Sequence, residues 1–191
     1  TASAVFGLPE EQIPDGLRDA AKRINFGILY GISPFGLARE LGITQSEARG
    51  YIERFFSAYP RAREYIDRMI ERATEAGYAE TVLGRRRPLP HLTSRNVARR
   101  NYDKRNAINT PIQGSAADLI KLAMIEIDRW IEEEHLPVKM ILQIHDELVF
   151  EIEDHALVDS TAMITDKMEG VLPLSVPLSV KVKTGRDWSQ I

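Results

Sequence analysis

The sequence predicts an α+β fold, with helices through its first half and a small antiparallel sheet with flanking helices in its second. Three observations predict it. Helix starts and stops recur up to Gly77, an amphipathic stripe follows Gln113, and at Lys139 the hydrophobic period changes from that of a helix to that of a strand.

Taken in order, Asp15 is placed to cap a first helix reaching about Tyr30, where Gly31 and Pro34 stop it. Thr44 and Glu47 form a capping box that opens a helix to Tyr59. Pro60 suits the first turn of the next helix and Gly77 its end. Residues 78–92 read as short extended pieces around Gly84, so a hairpin or loop carries Arg85, Arg86 and Arg87. A helix over 94–108 is interrupted near Pro111. Another begins beyond Gln113, with Ala116, Leu119, Ile120, Ala123, Ile127 and Trp130 as its apolar stripe. Residues 139–144 and 148–152 are strand formers with His145 and Asp146 at the bend between them. A helix over 154–169 and a final strand over 178–182 complete the pattern. No internal repeat, low-complexity tract or linker is present.

The 191 residues can bury one sizeable core or two small ones, and 43% hydrophobic with 28% charged residues is a globular composition. No apolar run reaches the roughly 18 residues of a membrane span. The amino-terminal stretch lacks the basic start and apolar run of a secretory signal. Cysteine is absent, which excludes disulfides and thiolate metal sites and fits an intracellular protein. The net charge of -3 hides a segregation: residues 81–110 hold eight Lys or Arg against one acid, Asp103, whereas 126–170 hold thirteen acids against three bases. So dense a basic window points to contact with a polyanion, because like charges repel unless something neutralises them.

Three constellations carry chemistry. Arg18, Lys22, Phe26 and Tyr30 recur at four-residue steps, which keeps them on one stripe of a helix. On spacing alone the commoner arrangement puts both rings in a core with the cations snorkelling at its edge. The alternative is a nucleotide platform, with cations for a polyphosphate and rings for sugar or base. Arg105, Asn109 and Gln113 repeat the spacing at the end of the basic window. They suit either donation to minor-groove acceptors or hydrogen bonding at a helix end beside Pro111. His145-Asp146-Glu147 places two carboxylates at a tight bend, where a hard cation could be held in oxygen coordination, although Asp also favours turns for its own reasons.

Taken together, these stretches resemble family A DNA polymerases of the bacterial polymerase I type, and the resemblance runs through nearly the whole chain. Arg18-Asp-Ala-Ala-Lys22-Arg-Ile-Asn25-Phe26-Gly27-Ile-Leu-Tyr30-Gly31 is similar to the family's fingers helix, its motif B. Arg105-Asn-Ala-Ile-Asn109-Thr-Pro111-Ile-Gln113-Gly114-Ser-Ala-Ala-Asp118 is similar to its primer-template-binding segment. Gln143-Ile-His145-Asp146-Glu147-Leu-Val-Phe150-Glu151 is similar to motif C, the palm hairpin.

The resemblance implies a fingers portion over 1–92 and the C-terminal part of a palm over 93–191. It implies that Arg18 and Lys22 hold an incoming dNTP, with Lys22 also placed to protonate the pyrophosphate. Phe26 would lie against the deoxyribose, Tyr30 near the nascent pair, and Gly31 would let the chain turn close to the template. Phe rather than Tyr at position 26 implies discrimination against dideoxynucleotides. Arg105, Asn109 and Gln113 would contact primer-template DNA, with Arg85, Arg86 and Arg87 along the backbone. Asp146 would bind catalytic Mg²⁺, His145 would support the primer terminus, and Glu147 would assist. The family's other metal aspartate sits in Asp-x-Ser-x-x-Glu, of which these 191 residues hold no complete copy. The closest, Asp187-Trp-Ser189-Gln-Ile191, lacks the Glu and follows motif C. The expectation is therefore that this motif, the thumb and the rest of the palm are missing partners of the chain. The resemblance also implies a bacterial cytoplasmic, nucleoid-associated protein.

Competing readings are a phage-type single-subunit RNA polymerase, a non-catalytic duplex-binding module, and a His-Asp metal phosphohydrolase. The Glu after His145-Asp146 and the Asn25-Phe26-Gly27 run favour the DNA enzyme over the first. His91, His135 and His155 show no paired-ligand spacing such as HExxH, which weighs against the last.

Overall fold

The structure is a computed structural model and describes residues 1–190. It is α+β and mostly helical, with two small antiparallel hairpins. The chain divides into two compact units, residues 1–114 and 115–191. Residues 93–114 belong to the first of these units.

The first unit opens with α1 (Ala2–Phe6), a short 3-10 turn (Glu10–Gln12) and α2 (Asp15–Leu29). Asp15 does not cap α2: Pro14 holds the N-cap position and Asp15 is the first helical residue, with no side-chain cap. The helix ends as expected, with Tyr30 at the C-cap and Gly31 at a φ of 76°. Pro34 does more than stop α2. It sits in the first turn of α3 (Pro34–Leu41), with Ser33 as N-cap accepting from the Gly36 amide at 3.1 Å.

The Thr44–Glu47 capping box forms reciprocally and opens α4 (Gln45–Ala58). The Glu47 carboxylate accepts from the Thr44 amide at 2.8 Å, and the Thr44 hydroxyl accepts from the Glu47 amide at 3.3 Å. Then comes α5 (Pro60–Ala76), with Pro60 in its first turn and Gly77 left-handed at its end. Val5, Ile24, Ile28, Leu37, Ala48 and Phe55 form the core that joins α1 to α4.

Strands β1 (Tyr78–Glu80) and β2 (Arg86–Pro88) make the expected hairpin, in the register Tyr78↔Pro88 to Glu80↔Arg86. A second core, Ala73, Ala79, Leu89, Leu92 and Ala107, ties this hairpin to α5 and to α6 (Val97–Asn109). Helix α6 starts later than expected because Asn96, not Ser94, is the cap, its side chain accepting from the Ala98 and Arg99 amides. Near Pro111 the chain winds into one π turn, Thr110–Gly114. Pro111 has no N–H to give to the α-helical ladder, which accounts for the change of winding there.

The second unit holds α7 (Ser115–Glu133), β3 (Val138–Ile144), β4 (Glu147–Ile152), a 3-10 turn (Asp154–Ala156) and α8 (Leu157–Glu169). Ile120, Ala123 and Ile127 of α7 are buried as expected, while Ala116 at its start is exposed. Ala123 and Ile127, with Val138, Ile164 and Val171, centre a third core, onto which Phe150 and Ile152 also pack.

The strand expected over 178–182 does not form, and that stretch is irregular. Strand-forming side chains do not suffice where no neighbouring strand offers a ladder. The Val180 amide donates instead to the Glu169 carboxylate at 2.7 Å.

Candidate functional site

Helix α2 settles how its four-residue stripe is used. Its buried face is Ala21, Ile24 and Ile28, each 4% exposed or less. Arg18, Lys22 and Phe26 therefore fall on the outer face, and Phe26 is 55% exposed. A core role for Phe26 is excluded by that exposure. The Phe26 and Tyr30 rings stack one turn apart, centroids 6.3 Å apart and planes 13° from parallel. Ahead of them, a cavity of about 340 Å³ is lined by Arg18, Lys22 and Asn25, with Ala21, Thr1 and Ala2. Arg18 Nε reaches the Ile13 carbonyl at 3.5 Å, and Lys22 Nζ donates to Asp19 Oδ1 at 3.1 Å. The face therefore combines cations that can exchange partners with an exposed aromatic step.

The end of α2 is fixed against α6. A Cβ on Gly31 would lie 3.2 Å from Arg105 Cγ and 3.4 Å from Ile108 Cδ1, and its positive φ already disfavours a side chain. Within the first unit, the turn after the aromatic step and the start of the Arg105 stretch are thus brought together.

Arg85, Arg86, Arg87, Asn109 and Gln113 converge on one cavity of about 230 Å³, which Thr81, Asn106, Thr110 and Gly114 complete. Gly114 makes this possible: a Cβ there would meet Thr81 Cγ2 at 2.7 Å, so the π turn and the hairpin approach as only glycine permits. Arg86 is ordered by its own hairpin, with Nε 2.9 Å from Glu80 Oε2 and its guanidinium 4.5 Å above the Tyr78 ring. The hydrogen bond to Glu80, then the Tyr78 and Glu80 charges, raise its pKa further. Three buried atoms around the turn, Asn106 Nδ2, Asn109 Oδ1 and Thr110 Oγ1, have no protein partner. Helix-end hydrogen bonding therefore does not account for Asn109. Asn106 and Thr110 stand three residues before Asn109 and Gln113 on the same helical face, a row beside the Arg105–Asn109–Gln113 steps that four-residue spacing alone does not pick out.

In the second unit, His145 and Asp146 form the two-residue bend of the β3–β4 hairpin, closed by the pair Ile144↔Glu147. All three of His145, Asp146 and Glu147 are exposed. His145 has a φ of 54°, a left-handed conformation that His135 also takes and that His, Asn and Asp adopt more readily than other residues with a side chain. The Gln143 side chain steadies it by donating to the His145 carbonyl at 3.0 Å. A bulge between Met140 and Leu142 shifts the register on the way to the bend. Among the described residues no three His, Asp or Glu side chains cluster as a metal site. Two adjacent carboxylates on a rigid bend are still the oxygen donors that Mg²⁺ prefers, and it needs only one or two from protein. The donor set therefore fits a partial share of such a site.

The first unit thus presents an outward row of cations and rings on one helix and a basic cavity at a π turn, and the second a hairpin bend bearing acids. The chain belongs to DNA polymerase family A, whose family model matches residues 1–190. It is similar to DNA polymerase I of Pseudomonas aeruginosa, with 43% identity over 190 residues, covering 100% of this chain and 21% of that protein. DNA polymerase I of Geobacillus stearothermophilus is 44% identical over 188 residues, covering 98% of this chain and 22% of that protein. Among solved structures, the POL domain of Pol1 from M. smegmatis in complex with DNA primer-template and dNTP matches with a TM-score of 0.93 and 40% identity, covering 99% of this chain and 33% of that one. The chain thus spans about a fifth of the curated relatives it matches. Membership of this family sets aside the RNA polymerase and phosphohydrolase readings. Among the described residues, no helix is long and apolar enough to cross a membrane.

Proposed function

We propose that this chain is the fingers portion (1–92) and C-terminal palm portion (93–191) of a template-directed DNA polymerase that adds dNTPs to a primer 3′-hydroxyl. One observation carries the reading: Arg18, Lys22 and Phe26 lie on the open face of a helix whose other face is core. A nucleotide can use such a face as a whole, its phosphates on the cations and its sugar or base on the ring.

Arg18 and Lys22 bind the triphosphate. The Lys22 ammonium donates a proton to the pyrophosphate as it leaves, acting as a general acid. Phe26 packs on the deoxyribose, which is where sugar discrimination would arise. Tyr30 and Gly31 border the templating base. Arg105, Asn109 and Gln113 read the minor-groove acceptors that every correct pair presents, and Arg85, Arg86 and Arg87 run along the backbone. His145 supports the primer terminus. Asp146, assisted by Glu147, holds Mg²⁺, which when bound lowers the pKa of the 3′-hydroxyl and stabilises charge on the transferring phosphate. The DNA-contacting cavity is supported by its three unpartnered buried polar atoms, since such groups ordinarily find a partner. A cytoplasmic, nucleoid-associated setting follows from the substrate.

The 191 residues contain one of the two metal-binding aspartates of the proposed pair of Mg²⁺ ions, so the isolated chain extends no primer. In a parent polymerase, Lys22→Ala should slow incorporation by about 10²- to 10³-fold, the scale of losing one transition-state donor. Duplex affinity should hardly move. Equal losses of both, or robust extension by the purified 191-residue chain, would overturn the assignment.

A further inference from the structure

We propose that Asp19 is a gate residue at the triphosphate site: its carboxylate occupies the Lys22 ammonium in the free protein and must give it up before a nucleotide binds. The proposal rests on the reading of Lys22 as a triphosphate ligand and adds a residue that works against it.

The geometry is direct. Asp19 Oδ1 lies 3.1 Å from Lys22 Nζ, one turn apart on α2, with side chains 68% and 71% exposed. Asp19 is the single acid between Arg18 and Asn25, so it offsets one of three cations on this stretch. It does not line the cavity that Arg18, Lys22 and Asn25 share, so it draws the ammonium to a neighbour outside that cavity's wall.

A carboxylate in this place could act in two opposite ways. It could orient Lys22 for a phosphate, since an ammonium has three donors and can serve both. Or it could compete, since it is itself an anion beside the place a polyanion must enter. Competition is favoured by the exposure of the pair. Water can replace either partner, the lysine stem keeps its rotamers, and so little positional order is gained from the pairing. What persists is repulsion between the carboxylate and the triphosphate, together with the need to break the pair. Asp19 therefore lowers affinity for all triphosphates and tightens the requirement for a neutralising divalent cation on them.

The test uses the 191-residue chain, titrated with magnesium dTTP and separately with tripolyphosphate while amide shifts of α2 are followed by NMR. Asp19→Asn should bind both about twofold to fivefold more tightly than the native chain, the scale of one exposed ion pair. The gain should shrink in high salt. Lys22→Ala should bind more weakly, and adding Asp19→Asn to Lys22→Ala should gain less than Asp19→Asn gains in the native chain, because the part that acts through the ammonium is gone. Thermal unfolding of Asp19→Asn should equal that of the native chain, with Asp19→Ser as the second variant if it does not. Unchanged or weaker binding by Asp19→Asn, with Lys22→Ala still weakened, overturns the gate and leaves the triphosphate site standing. A gain of the same size in the double variant overturns the route through Lys22. Native-like binding by Lys22→Ala, or no binding by the native chain at millimolar ligand, overturns both.

Discussion

Phe26 and Ile24 lie two residues apart on α2, yet one is 55% exposed and the other 0%. Their substitutions should separate accordingly. Ile24→Ala removes a fully buried side chain and should cost about 2–5 kcal/mol of stability. Phe26→Ala removes one mostly in water and should cost no more than about 0.5–1 kcal/mol, measured by denaturant unfolding. In a parent polymerase the order reverses for nucleotide incorporation, where Phe26→Ala should raise the KM for dNTP. If Phe26→Ala unfolds the chain as readily as Ile24→Ala, the ring is core and the platform is lost. His145 carries the same lesson at the bend. Its left-handed backbone is set by the two-residue turn, as that of His135 is by the end of α7, so His145→Gly should leave stability unchanged or slightly raised in denaturant unfolding. Gly31 shows the converse, a position where a side chain would collide with Arg105.

At the scale of elements, what the sequence made legible was what local chemistry decides. The capping box of α4 forms between residues three apart, and so does its consequence. Hydrogen bonds from the Thr44 side chain and then its backbone hold the Glu47 carboxyl below its ordinary value of 4.5. A depressed folded pKa means that the group stabilises above the unfolded value and loses that contribution as pH falls through the folded one. Unfolding midpoints should therefore drop between neutral pH and the region below 4.5, and Glu47→Gln should reduce the part of that drop due to α4. A drop unchanged by Glu47→Gln would mean the cap contributes nothing.

The elements that escaped the sequence reading have different causes. Helix α3 is signalled by Ser33-Pro34, a cap followed by a first-turn proline, a pair that ends one helix and opens the next. The strand expected over 178–182 does not form, because pairing needs a neighbouring edge that no local pattern reports. The π turn is also non-local in effect: Pro111 marked a break, but the approach of Gly114 to Thr81, which closes the basic cavity, requires the hairpin to be in place first. Hence the arginines and Asn109 were legible as a set, and Asn106 and Thr110 were not.

For the molecule as a whole, the charge pattern along the chain coincides with its division into units. The basic window 81–110 lies in the unit of residues 1–114, and the acidic stretch 126–170 in the unit of residues 115–191. A net charge of -3 would oppose binding to DNA if charge were spread evenly, so the electrostatic part of any duplex affinity belongs to the first unit, which holds the basic window. Salt dependence measures this without an active enzyme. Each phosphate neutralised contributes about -0.9 to the slope of log K against log salt on duplex DNA. Replacing Arg85, Arg86 and Arg87 together by Ala should make the slope shallower by about 2–3 and weaken duplexes of unrelated sequence alike, as backbone contacts do. Replacing Asn109 and Gln113 by Ala should leave the slope unchanged while still weakening binding, because their amides carry no charge to exchange for counterions. A slope that ignores the arginines would move the polyanion contact off this cavity. A slope that falls with the amides would mean their loss shifts the duplex itself, making the π turn the element that sets its register.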